Sequence, residues 1–232
     1  FNFTASHDGI GVRPLEGILE PKEIDRLISL VEAHNGQVSY KTDPDGSKSP
    51  YELNITYVDA ILADENSQRA EKFLASQAIQ YALPGVPATY IHSLLGSRNW
   101  LEGVQQTGRA RTINREKLQV GTVVDELADL ESFRSKVFYP YLKLIKARRQ
   151  QEAFHPNAAF EILAFDPRVF AIKRQSESQT IYALTNISNS RVHFLLADAG
   201  ISAPITDLLT GEIIDTMSYG LMPYQYSWLV TV

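Results

Sequence analysis

Apolar and polar positions alternate along this chain with three different textures. Residues 21–34 carry Ile24, Leu27, Ile28 and Val31 at helical spacing. Pro21 suits a first helical position and Asn35-Gly36 suits an end, so a helix is expected there. The same period returns from Asp64 to Pro84, through Ala70, Phe73, Leu74, Gln77, Ala78 and Tyr81, with Pro84-Gly85 as the stop. A short helix is expected over 123–129. A longer one is expected over 130–150, where Pro140 should kink or split it. Lys143, Lys146, Arg148 and Arg149 crowd its end, where cations complement helix carbonyls.

Two stretches read as strands that are apolar on both faces, the mark of a buried parallel sheet: Phe1–Ser6 and Val86–His92. The chain between them holds a long excursion and a helix, which makes a β/α repeat. The excursion includes Tyr40–Pro50, a loop on composition, and Tyr51–Ala60, read as loop leading to a short helix. From about Phe154 the texture changes. Short β-rich segments such as PRVFAIKR, QTIYALTNI, RVHFLLA and YQYSWLVTV recur between turn residues, an antiparallel sandwich pattern. His193 reads as a strand-surface residue and His155 as a connector.

Composition narrows the class. The 232 residues are 44% hydrophobic and 21% charged, with net charge −5 and no cysteine. That leaves a nucleic-acid role without electrostatic support, and excludes disulfides, thiolate metal sites and a cysteine nucleophile. No apolar run is long enough to span a membrane. The chain opens on Phe1 inside an expected strand, with no signal-peptide pattern, which implies the carboxyl-terminal piece of a longer protein; the lack of cysteine fits a reducing, cytoplasmic setting.

Three constellations could carry chemistry. His7-Asp8 stands where the first strand runs into the glycines at 9 and 11, at the carboxyl edge where α/β sheets place their sites. Gly108–Glu116, GRARTINRE, groups Arg109, Arg111 and Arg115 in the loop after the second strand, at the same edge. Guanidinium presents a planar fork to paired oxygens, so this is an anion clamp or an ion-pair network. Ser49–Tyr57, SPYELNITY, sets Tyr51 in a long loop, as an anchor or as a ligand contact. His92 reads as a packed histidine.

FTASHDGIGVRPLEG resembles the last conserved region of the α-amylase superfamily, in the form carried by sucrose-phosphorylase-like enzymes. GVPATYIHSLLGSRN and GVRPLEG look closest to the branch of glucosylglycerate and sucrose-6-phosphate phosphorylases. The resemblance implies α/β architecture followed by an all-β part. Residues 1–153 would be the last β/α units of a (β/α)8 TIM barrel, with an inserted region at about 9–60, and residues 154–232 an antiparallel β-sandwich.

It also implies roles. Asp8 would steady the oxocarbenium-like transition state, and His7 and Arg111 would contact the glucosyl unit. Arg115 would support its loop. Tyr51 falls at a tyrosine that helps admit phosphate, although Pro50 and Glu52 depart from the pattern around it. Arg109 has no role in the resemblance and could meet an anionic acceptor or phosphate. The expected partners are an α-glucoside and inorganic phosphate, with no cofactor, metal, nucleic acid or membrane.

Retaining transfer needs a carboxylate nucleophile and a carboxylic acid. In this family they lie on strands four and five, upstream of the resembling region, so the chain alone is expected to be inactive. Unpaired edges of its two barrel strands also predict self-association or partial disorder in residues 1–100, while 154–232 is expected to fold well. A hydrolase or transglucosidase of the same superfamily, or a non-catalytic carbohydrate-binding piece, stays open beside the phosphorylase reading.

Overall fold

Immediately after Asp8 the chain builds a small sheet. The computed structural model describes residues 1–61, 69–201, 204–214 and 218–231. Strand β1 (Ile10–Gly11), helix α1 (Pro21–Ala33), β2 (Gln37–Thr42) and β3 (Lys48–Asn54) come first, and the strands form an antiparallel sheet in the order β1-β3-β2. The helix is as the apolar period requires. Its start is a capping box between Glu20 and Glu23, with Pro21 just inside it. Asn35 follows its end at φ 60°, the left-handed turn that Asn tolerates. The helix packs Ile24, Leu27, Ile28 and Val31 with Val12, Val38, Leu53 and Ile55.

The expected loop over 40–50 is instead most of a hairpin. Only 43–47 turn, closed by the Gly46 and Asp43 amides bonding the Asp43 and Ser47 carbonyls at 2.9 Å each. The flanking Lys41, Thr42, Lys48 and Ser49 are polar because β2 and the outer part of β3 are largely exposed. The backbone ladder holds them, not an apolar face.

Helices α2 (Tyr57–Ile61) and α3 (Arg69–Ala82) follow. The short helix expected after Tyr51 is α2. In α3 the expected face is buried: Ala70, Phe73, Leu74, Gln77, Ala78 and Tyr81. The Tyr141 hydroxyl, 2.9 Å from Gln77 Oε1, satisfies the polar member of that face. Asp64, the expected start of this helix, lies outside the described residues.

The two expected parallel strands are reduced to one rung. Asn2 bridges Pro87 in parallel, its amide donating to the Val86 carbonyl (3.0 Å) and its carbonyl accepting from the Ala88 amide (2.8 Å). Pro87 fits there because this pairing asks nothing of its missing N–H. The Gln80 amide donates to the carbonyls of Asn2 (2.7 Å) and Ala88 (2.9 Å), taking the place of further ladder bonds. The second stretch then ends early, in helix α4 (Ile91–Leu94).

Helices α5 (Leu101–Thr107), α6 (Val120–Ala128) and α7 (Phe133–Arg149) complete the helical part, with a 3₁₀ turn at Ala110–Asn114. The α5 helix lies in the stretch expected as the loop after the second strand. Pro140 sits inside α7 without splitting it, and Leu130 precedes the helix, exposed. Arg148, near the end of α7, does more than complement its carbonyls. It donates to the Tyr81, Gly85 and Phe154 carbonyls at 2.9, 3.0 and 2.9 Å.

The β-rich remainder contains β4 (Ala159–Leu163), β5 (Val169–Gln175), β6 (Thr180–Asn186), β7 (Val192–Phe194), β8 (Ile205–Asp207), β9 (Tyr219–Leu221) and β10 (Tyr226–Thr231). These strands are antiparallel, as the alternation requires. One sheet runs β4-β5-β6-β10-β8, and β7 pairs with β9. Leu184, Val192, Leu196, Ile205, Leu221 and Leu229 lie at the centre of its core. His193 is on the exposed face of β7.

The chain divides into two compact units. One comprises Phe1–Asn2, Asn66–Ala88 and Tyr139–Val232, and the other Phe3–Glu65 and Thr89–Phe138. The candidate site lies wholly within the second.

Candidate functional site

Asp8 sits on a turn with no slack. The amides of Ser6 and Gly9 each donate to the other's carbonyl, at 3.0 and 3.1 Å, and the Asp8 amide donates to Ser6 Oγ at 3.2 Å. Gly9 has φ 112°, and a Cβ there would stand 2.3 Å from the Leu53 carbonyl oxygen. Only glycine accepts both the angle and the contact. From the sheet side, Asn54 Nδ2 donates to the Asp8 carbonyl at 3.0 Å, and Ser39 Oγ fixes that amide through Asn54 Oδ1 at 2.6 Å. The hairpin thus aims the turn.

Basic side chains gather on one oxygen of the Asp8 carboxylate. Arg115 Nη2 donates to Oδ1 at 2.7 Å, while Arg115 Nε donates to the His7 carbonyl at 2.9 Å. Arg111 Nε and His7 Nε2 each stand 3.4 Å from the same Oδ1. Among the described residues, none of these contacts falls on Oδ2. A carboxylate oriented through one oxygen leaves the other to accept from a ligand hydroxyl.

Arg111 is held from its other side. Its Nε and Nη2 donate to Glu52 Oε2 and Oε1 at 2.9 and 2.8 Å, a two-point pair. The hydrogen bond and charge of Glu52, followed by the charges of Asp8 and Tyr51, hold the guanidinium above its ordinary pKa. Beneath the arginines, Tyr90 donates to the Asn114 carbonyl at 2.7 Å. Burial raises its phenol pKa, Arg115 opposes that rise and Asp8 adds to it.

The structure therefore brings together His7, Asp8 and Arg111. Arg115, expected to support the loop, grips Asp8 directly. Tyr51 lies on β3 rather than in a mobile loop, with its carbonyl accepting from the Val12 amide at 3.1 Å and its side chain partly exposed. Arg109 is not gathered in. It is exposed just before the 3₁₀ turn, and its guanidinium has no ion pair among the described residues. Glu52 is the residue that sequence reasoning missed. The available signal was a lone charge between apolar neighbours in a stretch with strand character. No group of three or more His, Asp or Glu side chains is placed to hold a metal among the described residues. No helix among them is long and apolar enough to cross a membrane.

No family model matches the chain. An Anoxybacillus α-amylase structure superposes on 76% of this chain and 35% of its own length at TM-score 0.56, with 13% identity, which shows a shared fold. The class is thus the α-amylase fold. Sucrose 6F-phosphate phosphorylase from Thermoanaerobacter thermosaccharolyticum superposes at TM-score 0.64 with 26% identity, over 78% of this chain and 35% of that one. A glucosylglycerate phosphorylase of Spirochaeta thermophila is 44% identical over 248 residues, 99% of this chain and 42% of its own. The chain is a homologue of the phosphorylases in the sucrose-phosphorylase-like branch of the α-amylase superfamily. It spans about two fifths of the length of the curated relatives that it matches over nearly its whole extent.

Proposed function

We propose that this chain is the carboxyl-terminal part of a retaining α-glucosyl phosphorylase. Residues 1–153 would supply the last β/α units of its barrel, with the hairpin region inserted, and 154–232 a β-sandwich. The intact enzyme would cleave an α-glucoside of sucrose, sucrose 6-phosphate or glucosylglycerate type. A carboxylate nucleophile takes the glucosyl group and the leaving oxygen takes a proton from a carboxylic acid. Phosphate oxygen then attacks the anomeric carbon and the enzyme carboxylate departs, giving α-glucose 1-phosphate.

The observation that carries this reading is Asp8, held through Oδ1 by Arg115 and standing beside Arg111 and His7. A fixed carboxylate with one open oxygen can accept from the ring hydroxyls and act on charge that develops only as the bond breaks. His7, more than half exposed at 65%, is available to the sugar. Tyr51 and Arg109, which has no ion pair among the described residues, suit the phosphate or acceptor side.

The test is product analysis of the intact enzyme with sucrose, sucrose 6-phosphate and glucosylglycerate, with and without phosphate. Phosphate-dependent release of α-glucose 1-phosphate from one donor is expected. Release of glucose at the same rate without phosphate would make it a hydrolase.

A further inference from the structure

Glu52 is an unusual residue to bury. Its side chain is 8% exposed, against 44% for its partner Arg111. Its backbone is also the better anchored of the two. Glu52 lies in the central strand of the sheet, opposite Ser39 on one side and Gly11 on the other. Arg111 lies in a 3₁₀ turn. The rigid member is therefore the carboxylate, and the guanidinium is placed by it.

The pairing settles two properties of Arg111. It fixes the fork, because Nε and Nη2 are both committed and the free donors are those pointing away from Glu52. It also cancels the charge. An uncompensated guanidinium beside an open cleft is a phosphate site, since a phosphate offers the same pair of oxygens that Glu52 offers. A glucosyl unit is neutral. Arg109, two residues away, has the opposite circumstances: it is exposed and has no ion pair among the described residues.

We infer that Glu52 is a positioning and specificity residue, which holds Arg111 as a hydrogen-bond donor for neutral sugar hydroxyls and denies that guanidinium to phosphate, leaving the anion to Arg109. The inference rests on the reading of Arg111 as a glucosyl contact. The raised pKa of Arg111, caused first by its hydrogen bond to Glu52, agrees with that pairing.

The probe is inorganic phosphate, titrated calorimetrically into the free intact enzyme without donor. Glu52→Gln removes the charge and keeps the shape. It should tighten phosphate binding about tenfold and raise KM for the donor by a similar factor, with a smaller change in kcat. Adding Arg111→Gln to that variant should abolish the gain in phosphate affinity. A purely structural role for Glu52 would weaken binding of every ligand and tighten none. Phosphate affinity unchanged or weaker in a folded E52Q, or a gain that survives loss of Arg111, overturns the inference. If E52Q does not fold, Glu52→Asp replaces it. The shortened pair should show a smaller gain in the same direction, and no gain overturns the inference. The titration needs no turnover. A protein that releases no glucose 1-phosphate from any donor overturns the phosphorylase reading, while the phosphate titration still decides this inference.

Discussion

Arg115→Ala separates the positioning of Asp8 from the stability of the fold. The guanidinium makes two contacts that matter, 2.7 Å to Asp8 Oδ1 and 2.9 Å to the His7 carbonyl. Its side chain is 42% exposed, so solvent screening keeps the contribution to stability below about 1 kcal/mol, and the melting temperature should fall by no more than roughly 2–4 °C. The effect on geometry is larger. Without Arg115, the nearest remaining arginine is Arg111, whose Nε stands 3.4 Å from Oδ1 and is already committed to Glu52. The carboxylate is then free to rotate away from the turn. A displacement on the order of 1 Å at a catalytic group costs about 100-fold in rate. The assay is initial rates of glucose 1-phosphate formation by the intact enzyme at saturating donor and phosphate, beside a thermal melt. A kcat within about twofold of wild type in a folded variant would refute the claim that Arg115 positions Asp8.

Three further outcomes are expected. Arg111→Ala should slow glucosyl transfer from every donor, neutral or anionic, because the shared glucosyl unit loses its contact; a loss confined to anionic acceptors would move Arg111 to the acceptor side. Gly9→Ala should destabilise the hairpin region by on the order of 1–3 kcal/mol or more, because its φ is 112° and its Cβ would meet the Leu53 carbonyl oxygen at 2.3 Å; an unchanged melting temperature would count against the tight turn. Burial, and then the charge of Arg134, lower the pKa of His92. Its stabilising contribution should be complete above the unfolded value, about 6.5, and lost as pH falls through the lower folded value. NMR titration of its ring at or above the model-peptide value would contradict this.

The sequence made the periodic parts of the fold legible. Helix α3 buries the residues that its spacing marks, and α1 packs its own against the core, since a helix facing a core must write its period into the chain. The hairpin was hidden because Lys41, Thr42, Lys48 and Ser49 are strand residues held by backbone pairing, with no apolar face to announce them. The paired segments Phe1–Ser6 and Val86–His92 failed for the complementary reason. Apolar content marks a strand, but a ladder needs neighbours, and here the described residues give one rung at Asn2 and Pro87. Within the site, His7, Asp8 and Arg111 were readable as motif residues. Glu52 and the direct grip of Arg115 on Asp8 were not, because both depend on contacts across 59 and 107 residues of chain.

Asp8→Asn in the intact enzyme is the most direct test. Asparagine keeps an acceptor oxygen for Arg115 and the shape of the turn, and removes only the charge. If Asp8 stabilises the positive charge that develops on the glucosyl ring, kcat should fall by on the order of 100-fold or more, while donor binding changes far less. A folded Asp8→Asn enzyme with near-wild-type kcat would contradict the account, and reduce Asp8 to the residue that shapes the turn before Gly9.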